Sequence, residues 1–231
     1  MLLQLDRLPW GHCLDEYNRM FSLNESDREL AILDCAGGTA SFNAEMTRLG
    51  NKVISCDPYY YQRTPVEIDA LIQEAYHTVI DFPRELYAYG GNNYFESEEH
   101  LANVRRNATL EFLEDFPSGL QQGRYVTAEL PVLPFDDGQF DLALCSHFLF
   151  TYPHSSENFP LEAITEMCRV AREVRVFPLL DRYGGRSEHL NPIRTKLRNR
   201  SFHVETPPVD YEFQIGGNEM LRVSKKSSAE K

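Results

Sequence analysis

The chain has 231 residues, 35 acidic against 23 basic side chains and a formal net charge of −12. With no Lys/Arg cluster longer than Lys225-Lys226, that balance speaks against a nucleic-acid backbone as partner. At 42% hydrophobic and 12% aromatic, the chain has side chains for a full core, and global disorder is excluded.

No apolar run approaches the ~18 residues of a membrane span, and Met1–Leu5 is too short for a signal peptide, so no membrane association is expected. Five cysteines, odd in number and without C-x-x-C spacing, read as reduced thiols of a cytoplasmic protein. His12-Cys13 lacks a second ligand pair at metal spacing, so no metal site is expected.

Taken in chain order, Leu14 to Phe21 is a short helix with Leu14, Tyr17 and Phe21 on one stripe. Leu30–Leu33 is a continuous apolar run ending at Asp34, the pattern of a buried parallel strand. It enters the small-residue turn Ala36-Gly37-Gly38-Thr39-Ala40, then a helix from Phe42 to Leu49 that stops at Gly50. Lys52–Cys56 is a second strand, followed by Asp57 and Pro58. That makes one βαβ unit.

The next strand, Arg124–Ala128, begins some 66 residues after Pro58, far more than a plain crossover needs. Residues 64–123 therefore read as a helical insertion. Thr64-Pro65-Val66-Glu67 is a capping box opening one helix, with Ile68, Leu71, Ile72, Ala75 and Val79 as its stripe. Ser97 caps another, with Leu101, Val104, Ala108 and Phe112 facing inward. Between them lies an aromatic loop with Tyr87, Tyr89, Tyr94 and Phe95 around glycines.

The alternation then resumes: a strand Phe140–Cys145 ending at Ser146-His147, a helix Leu161–Ala171, a strand Val174–Phe177, and a helix capped by Ser187 running to Arg198. Phe202–Glu205, Val209–Ile215 and Glu219–Val223 read as closing strands, the last two a hairpin across Gly216-Gly217-Asn218, and 224–231 as a frayed tail. Residues 1–231 thus form one α/β domain with a mostly parallel sheet.

The chemistry concentrates in strand, Asp34, small-residue turn, helix, strand, Asp57. Small residues after a strand let the backbone approach a ligand at a helix start. Asp57, 19 residues past Gly38, is placed to accept ribose hydroxyls. An adenosine-type pocket follows, for a dinucleotide or for S-adenosylmethionine. Asp34 separates them: a carboxylate just ahead of the glycines repels a pyrophosphate and attracts an ammonium.

Leu33-Asp34-Cys35-Ala36-Gly37-Gly38-Thr39-Ala40 resembles the first motif of the class I S-adenosylmethionine-dependent methyltransferases, and Asp57-Pro58 their ribose-binding acid. The stretch from Ala128-Glu129-Leu130 through Pro134-Phe135-Asp136-Asp137-Gly138 to Ser146-His147 is similar to their adenine-contact turn and fourth strand. The likeness covers roughly 30–63 and 124–225 and implies a Rossmann-like fold. Its sheet would be seven-stranded and mostly parallel, with a C-terminal antiparallel hairpin and a helical insertion after the second strand.

By this resemblance, the backbone of Ala36, Gly37 and Gly38 faces the methionine part of the cofactor. Asp34 holds its ammonium directly or through water, and Asp57 the ribose hydroxyls. Glu129 meets the adenine amino group, Leu130 packs on the ring, and Ser146 lies beside the sulfonium. His147 is the candidate base and Tyr152 a weaker one. One ring of Tyr59-Tyr60-Tyr61 borders the adenine.

Tyr17, Tyr87, Tyr89 and Tyr94 are read as substrate or lid residues. The implied reaction is methyl transfer to a small-molecule acceptor, leaving S-adenosylhomocysteine. Three points depart from the family's pattern: Ala36 and Ala40 replace the turn's first and third glycines, Glu129 replaces a commoner aspartate, and Arg172-Glu173 replaces a Pro-Gly-Gly turn. The N-terminal segment and the insertion resemble a bacterial subgroup. A homodimer interface is the competing use of the insertion, and a catalytically silent S-adenosylmethionine binder and an NAD-type dehydrogenase are the alternatives to catalysis by methyl transfer.

Overall fold

A computed structural model describes residues 11–61, 64, 66–67, 70, 87–90, 93–152, 154, 156 and 158–225. Its centre is a seven-stranded sheet: β1 (Ala31–Cys35), β2 (Lys52–Cys56), β3 (Tyr125–Val126), β4 (Phe140–Ser146), β5 (Ala171–Phe177), β6 (Phe202–Glu205) and β7 (Leu221–Lys225). The spatial order is β3-β2-β1-β4-β5-β7-β6. The first five strands are parallel, and β7 runs antiparallel to both β5 and β6. This is the Rossmann-like architecture implied by the sequence.

Among the described residues, the helices with complete bounds are α1 (Leu14–Met20), α2 (Glu25–Arg28), α3 (Phe42–Arg48), α4 (Glu98–Gln121), α5 (Phe159–Val170) and α6 (Leu190–Asn199), with a 3-10 turn at Pro58–Tyr60. Tyr17, Met20, Phe21, Phe42 and Met46 from α1 and α3 share one apolar cluster with Phe95, Tyr211 and Phe213. Ile164, Met167, Ile193 and Leu197 from α5 and α6 belong to a second, with Leu33, Ala143 and Val174 of the sheet. A third cluster, Tyr60, Phe112, Phe116 and Tyr125, fastens α4 to the β2–β3 edge.

The region 64–123 divides into two parts. Because α4 connects the parallel neighbours β2 and β3, it is the crossover helix of that unit, not part of an insertion. The surplus is the segment between Tyr61 and Ser97. Ser97 caps α4 as expected, its hydroxyl accepting from the His100 N–H at 3.1 Å. The Thr64–Glu67 capping box is also present. The apolar stripe of Ile68, Leu71, Ile72, Ala75 and Val79 lies outside the described residues.

The C-terminal end needs correcting. Its antiparallel pair is β6–β7, joined by a long loop, not a tight hairpin of 209–215 with 219–223. Among the described residues, 209–215 carry a single isolated bridge, Gln214 with Tyr87, in place of a ladder. Their alternation is real, since Tyr211 and Phe213 are buried, but it serves packing against α1 and the segment around Phe95. Ser224 and Lys225 close β7 and are not a frayed tail; 226–231 lie outside the described residues. The N-cap of α6 is His189, not Ser187. No loop separates α5 from β5, so Arg172-Glu173 lie within the strand and no Pro-Gly-Gly turn is needed.

Strand order reverses between β1 and β4: β2 and β3 lie to one side, β5, β7 and β6 to the other. Loops leaving the two central strands diverge there and open a crevice at their carboxyl ends. Just below it, Cys56, Cys35 and Cys145 stand side by side on β2, β1 and β4, all buried.

Candidate functional site

The turn after β1 is built on two left-handed residues, Ala36 (φ 55°) and Gly38 (φ 53°). Between them, a Cβ on Gly37 would sit 2.4 Å from Asp34 Oδ2, so only glycine lets the backbone cross over that carboxylate. Asp57, after β2, accepts from the N–H of Gly38 at 3.0 Å and of Tyr59 at 2.8 Å. The two acids on either side of the turn are therefore brought together as the sequence implied.

Asp34 is sealed below the turn, 1% exposed, and does not line the crevice. Its Oδ1 accepts from the Tyr17 hydroxyl and its Oδ2 from the Ser55 hydroxyl, each at 2.9 Å. Burial pushes its carboxyl up to about 7, despite these bonds, and the negative charge of Asp57 adds to the rise. Tyr17 is thus not a lid residue. It is fully buried, stacked on Phe42 with ring centroids 4.1 Å apart, and serves as Asp34's hydrogen-bond donor.

At the end of β4, His147 also adopts a left-handed backbone (φ 47°), a conformation of functional sites more than of ordinary strand ends. Its N–H reaches the Phe177 carbonyl at 2.6 Å, while neither ring nitrogen has a hydrogen-bond partner. The ring stacks on His12, centroids 4.5 Å apart. Burial, then the cationic character of His12 and Arg105, holds its pKa well below the usual histidine value, so the imidazole is neutral at pH 7.

A cavity of about 80 Å³ lies in front of His147. One wall is Gly37, another Ser146 and His147, and the rest comes from Tyr87, Thr151, Tyr152, Arg182 and the Phe213–Gln214 loop. Of the residues read as lid or catalytic, Tyr87 and Tyr152 therefore line this cavity together with His147. Tyr89 packs beside Tyr87, and Tyr94 lies against Cys13 and Arg19, both away from the cavity. Pro58 and Glu129 are exposed, Leu130 is buried, and Tyr60 donates its hydroxyl to the Gly38 carbonyl at 2.9 Å.

Sequence reasoning missed the cluster behind the histidines. Glu16, wholly buried on α1, accepts from Arg105 of α4 at 2.6 and 2.5 Å and from the Tyr211 hydroxyl at 2.7 Å. It also meets His12 Nδ1 at 3.3 Å. Burial alone would raise the Glu16 pKa, but Arg105 and His12 overcome it and hold the carboxyl well below the usual range. The one local signal was Glu16 standing a helical turn before buried Met20.

Cys35, Cys56 and Cys145 do not reach the crevice surface. Contact with Cys56, then burial, pushes the Cys35 thiol up, and burial does the same for Cys145, so both are protonated. Among the described residues, no group of three His, Cys, Asp or Glu is placed to hold a metal, and no helix is long and apolar enough to cross a membrane.

No protein-family profile matches the chain. An uncharacterised protein of the archaeon Methanocaldococcus jannaschii, MJ0045, is 32% identical over 218 residues, 94% of this chain and 95% of that one. The sequence reading had looked toward a bacterial subgroup; this relative is archaeal. Among solved structures, PH0226 from Pyrococcus horikoshii OT3 is 11% identical with a TM-score of 0.48, covering 92% of this chain and 89% of that one. Magnesium protoporphyrin IX methyltransferase from Synechocystis PCC 6803, with bound SAM, is 14% identical with a TM-score of 0.45, covering 92% and 90%. The fold itself is established by the chain's own strand order.

Proposed function

We propose that this chain, which belongs to the family of the Methanocaldococcus jannaschii protein MJ0045, is an S-adenosylmethionine-dependent methyltransferase acting on a small molecule. The observation that carries the reading is the cavity at the strand-order reversal, with Gly37 of the β1 turn facing Ser146 and His147 of β4. A turn closed over by Ala36 and Ala40 would have favoured a silent binder; the open space in front of His147 favours catalysis.

The residues present fit the cofactor. Asp57, at the tip of β2, accepts the N–H groups of Gly38 and Tyr59 and so stands beside the turn where a ribose would meet its carboxylate. Leu130 supplies an apolar side for the adenine, Glu129 an acceptor for its amino group, and Pro58 fixes the chain beyond the ribose. Ser146 borders the reacting end. S-adenosylmethionine supplies a methyl group on a positively charged sulfur.

Asp34 acts through the turn instead of by contact. Buried in a medium of low polarisability, its negative charge acts on the cationic cofactor across the Gly37 backbone. A cation there favours the ionised acid, so cofactor affinity rises as pH climbs through about 7. His147, neutral with both ring nitrogens free of partners, receives the proton that an O–H or N–H acceptor gives up.

Calorimetric titration of the full chain with S-adenosylmethionine tests the reading. Wild type binds, and Asp57→Ala loses about 1.5 kcal/mol or more, the contribution of charge-assisted hydrogen bonds. His147→Asn binds with unchanged affinity. Absence of binding in the wild type, or tighter binding of a nicotinamide dinucleotide, sinks the proposal.

A further inference from the structure

The cavity in front of His147 holds an unusual concentration of unanswered polar groups. Thr151 Oγ1 and Gln214 Oε1 are buried without a hydrogen-bond partner, as are both ring nitrogens of His147. Gln214 is only 8% exposed, so water does not satisfy it from outside. Buried polar atoms are ordinarily bonded, and several orphans lining one cavity mark the place where a ligand completes them. Arg182, on the same wall, rests over the Tyr183 ring and has no carboxylate partner among the described residues. Neighbouring Asp181 is turned away, its carboxylate held by the N–H groups of Tyr183 and Gly185.

These groups specify a ligand by complementarity. A guanidinium has only donors, so Arg182, half-buried on that wall, favours an anion. It is the only cationic side chain among the described residues on that wall, which suits a singly charged carboxylate better than a phosphate dianion. Gln214 Oε1 is an acceptor only and requires an O–H or N–H from the ligand, while Thr151 can answer either kind. Tyr87, Tyr152 and Phe213 supply aromatic sides for an apolar body.

We propose that this cavity binds a small planar carboxylate carrying a hydroxyl or amino group, with the carboxylate on Arg182 and the O–H or N–H directed to Gln214 and Thr151. His147 lines the same space, so a ligand held there lies beside the residue assigned to receive its proton. That this ligand is the methyl acceptor rests on the methyl-transfer reading; that the site selects a carboxylate does not.

The test titrates the full chain with 4-hydroxybenzoate and with 4-hydroxybenzamide, which has the same shape without the charge. Calorimetry is run with and without S-adenosylhomocysteine. The carboxylate binds at least about tenfold more tightly than the amide, and Arg182→Gln removes that advantage. Gln214→Leu weakens both probes alike. Melting curves of the variants verify that each is folded.

Equal affinity for the two probes, binding of neither, an Arg182→Gln variant that still prefers the carboxylate, or inorganic phosphate binding more tightly than 4-hydroxybenzoate overturns the proposal. S-adenosylhomocysteine binding is read separately. If it fails while the carboxylate preference holds, the methyl-transfer reading falls and the anion site stands. If it succeeds while the preference is missing, the reverse holds.

Discussion

Two carboxylates lie equally deep in this molecule and end in opposite states. Glu16 and Asp34 are both at most 1% exposed, yet Glu16 is held well below the ordinary acid range and Asp34 is raised to about 7. The difference is in the partners. Glu16 has a guanidinium, a histidine and a phenol; Asp34 has two hydroxyls and a second carboxylate nearby. Burial disfavours both charges, and only the first site carries a compensating positive charge. The Glu16 region balances its buried charge within the fold, while the Asp34 region is an excess of negative charge beneath the turn after β1.

The contrast is most severely tested at its completed end. Arg105→Leu leaves Glu16 buried without its cation and costs about 3–5 kcal/mol in urea unfolding. A cost under about 1 kcal/mol would mean that His12 and Tyr211 suffice and that the distinction drawn here is wrong.

Asp34→Asn acts in the other direction. A folded-state pKa raised to about 7 means that the native protein binds a proton the unfolded chain releases near pH 4. Wild-type stability from this group therefore falls as pH rises from about 4 to about 7 and is level above. The asparagine variant gains about 2–4 kcal/mol over wild type at pH 8 and little at pH 4, while its cofactor affinity drops. A gain independent of pH would show that Asp34 is not the titrating group. Glu16 has the opposite sign, its contribution being present above the ordinary glutamate pKa and lost as pH falls through its depressed value.

The smallest effect belongs to the turn itself. Ala36 occupies a left-handed conformation that costs an L-residue about 1–2 kcal/mol, partly offset by the lower unfolded-state entropy of alanine. Ala36→Gly raises stability by about 0.5–1 kcal/mol in thermal unfolding and leaves the Asp34 pH dependence as it was.

What the sequence displayed follows from how far each signal reaches along the chain. The unit from Leu30 to Asp57 was legible because a strand, its turn and its helix cap are local patterns, and β2 and β6 fall on their predicted residues. The segment 209–215 misled because period-two alternation reports which side chains are buried, not whether the backbone finds a ladder. The Glu16 cluster was hidden because its partners stand 89 and 195 residues away. Thr151, Arg182 and Gln214 come from three separate loops, and none carries a pattern of its own. Tyr17 was read as a lid residue although its stripe predicted burial, and burial makes it the hydrogen-bond donor to Asp34.

The cysteine row beneath the strand ends gives the molecule an internal stain. In the native chain a thiol-alkylating reagent meets at best Cys13, half-buried, beside Tyr94 and with its thiol pushed up to about 11 by burial and Glu16. Cys35, Cys56 and Cys145 become reactive together when the central strands part. Their labelling rate is therefore a clock on the opening of the edge that carries the turn, legible by mass without any added probe.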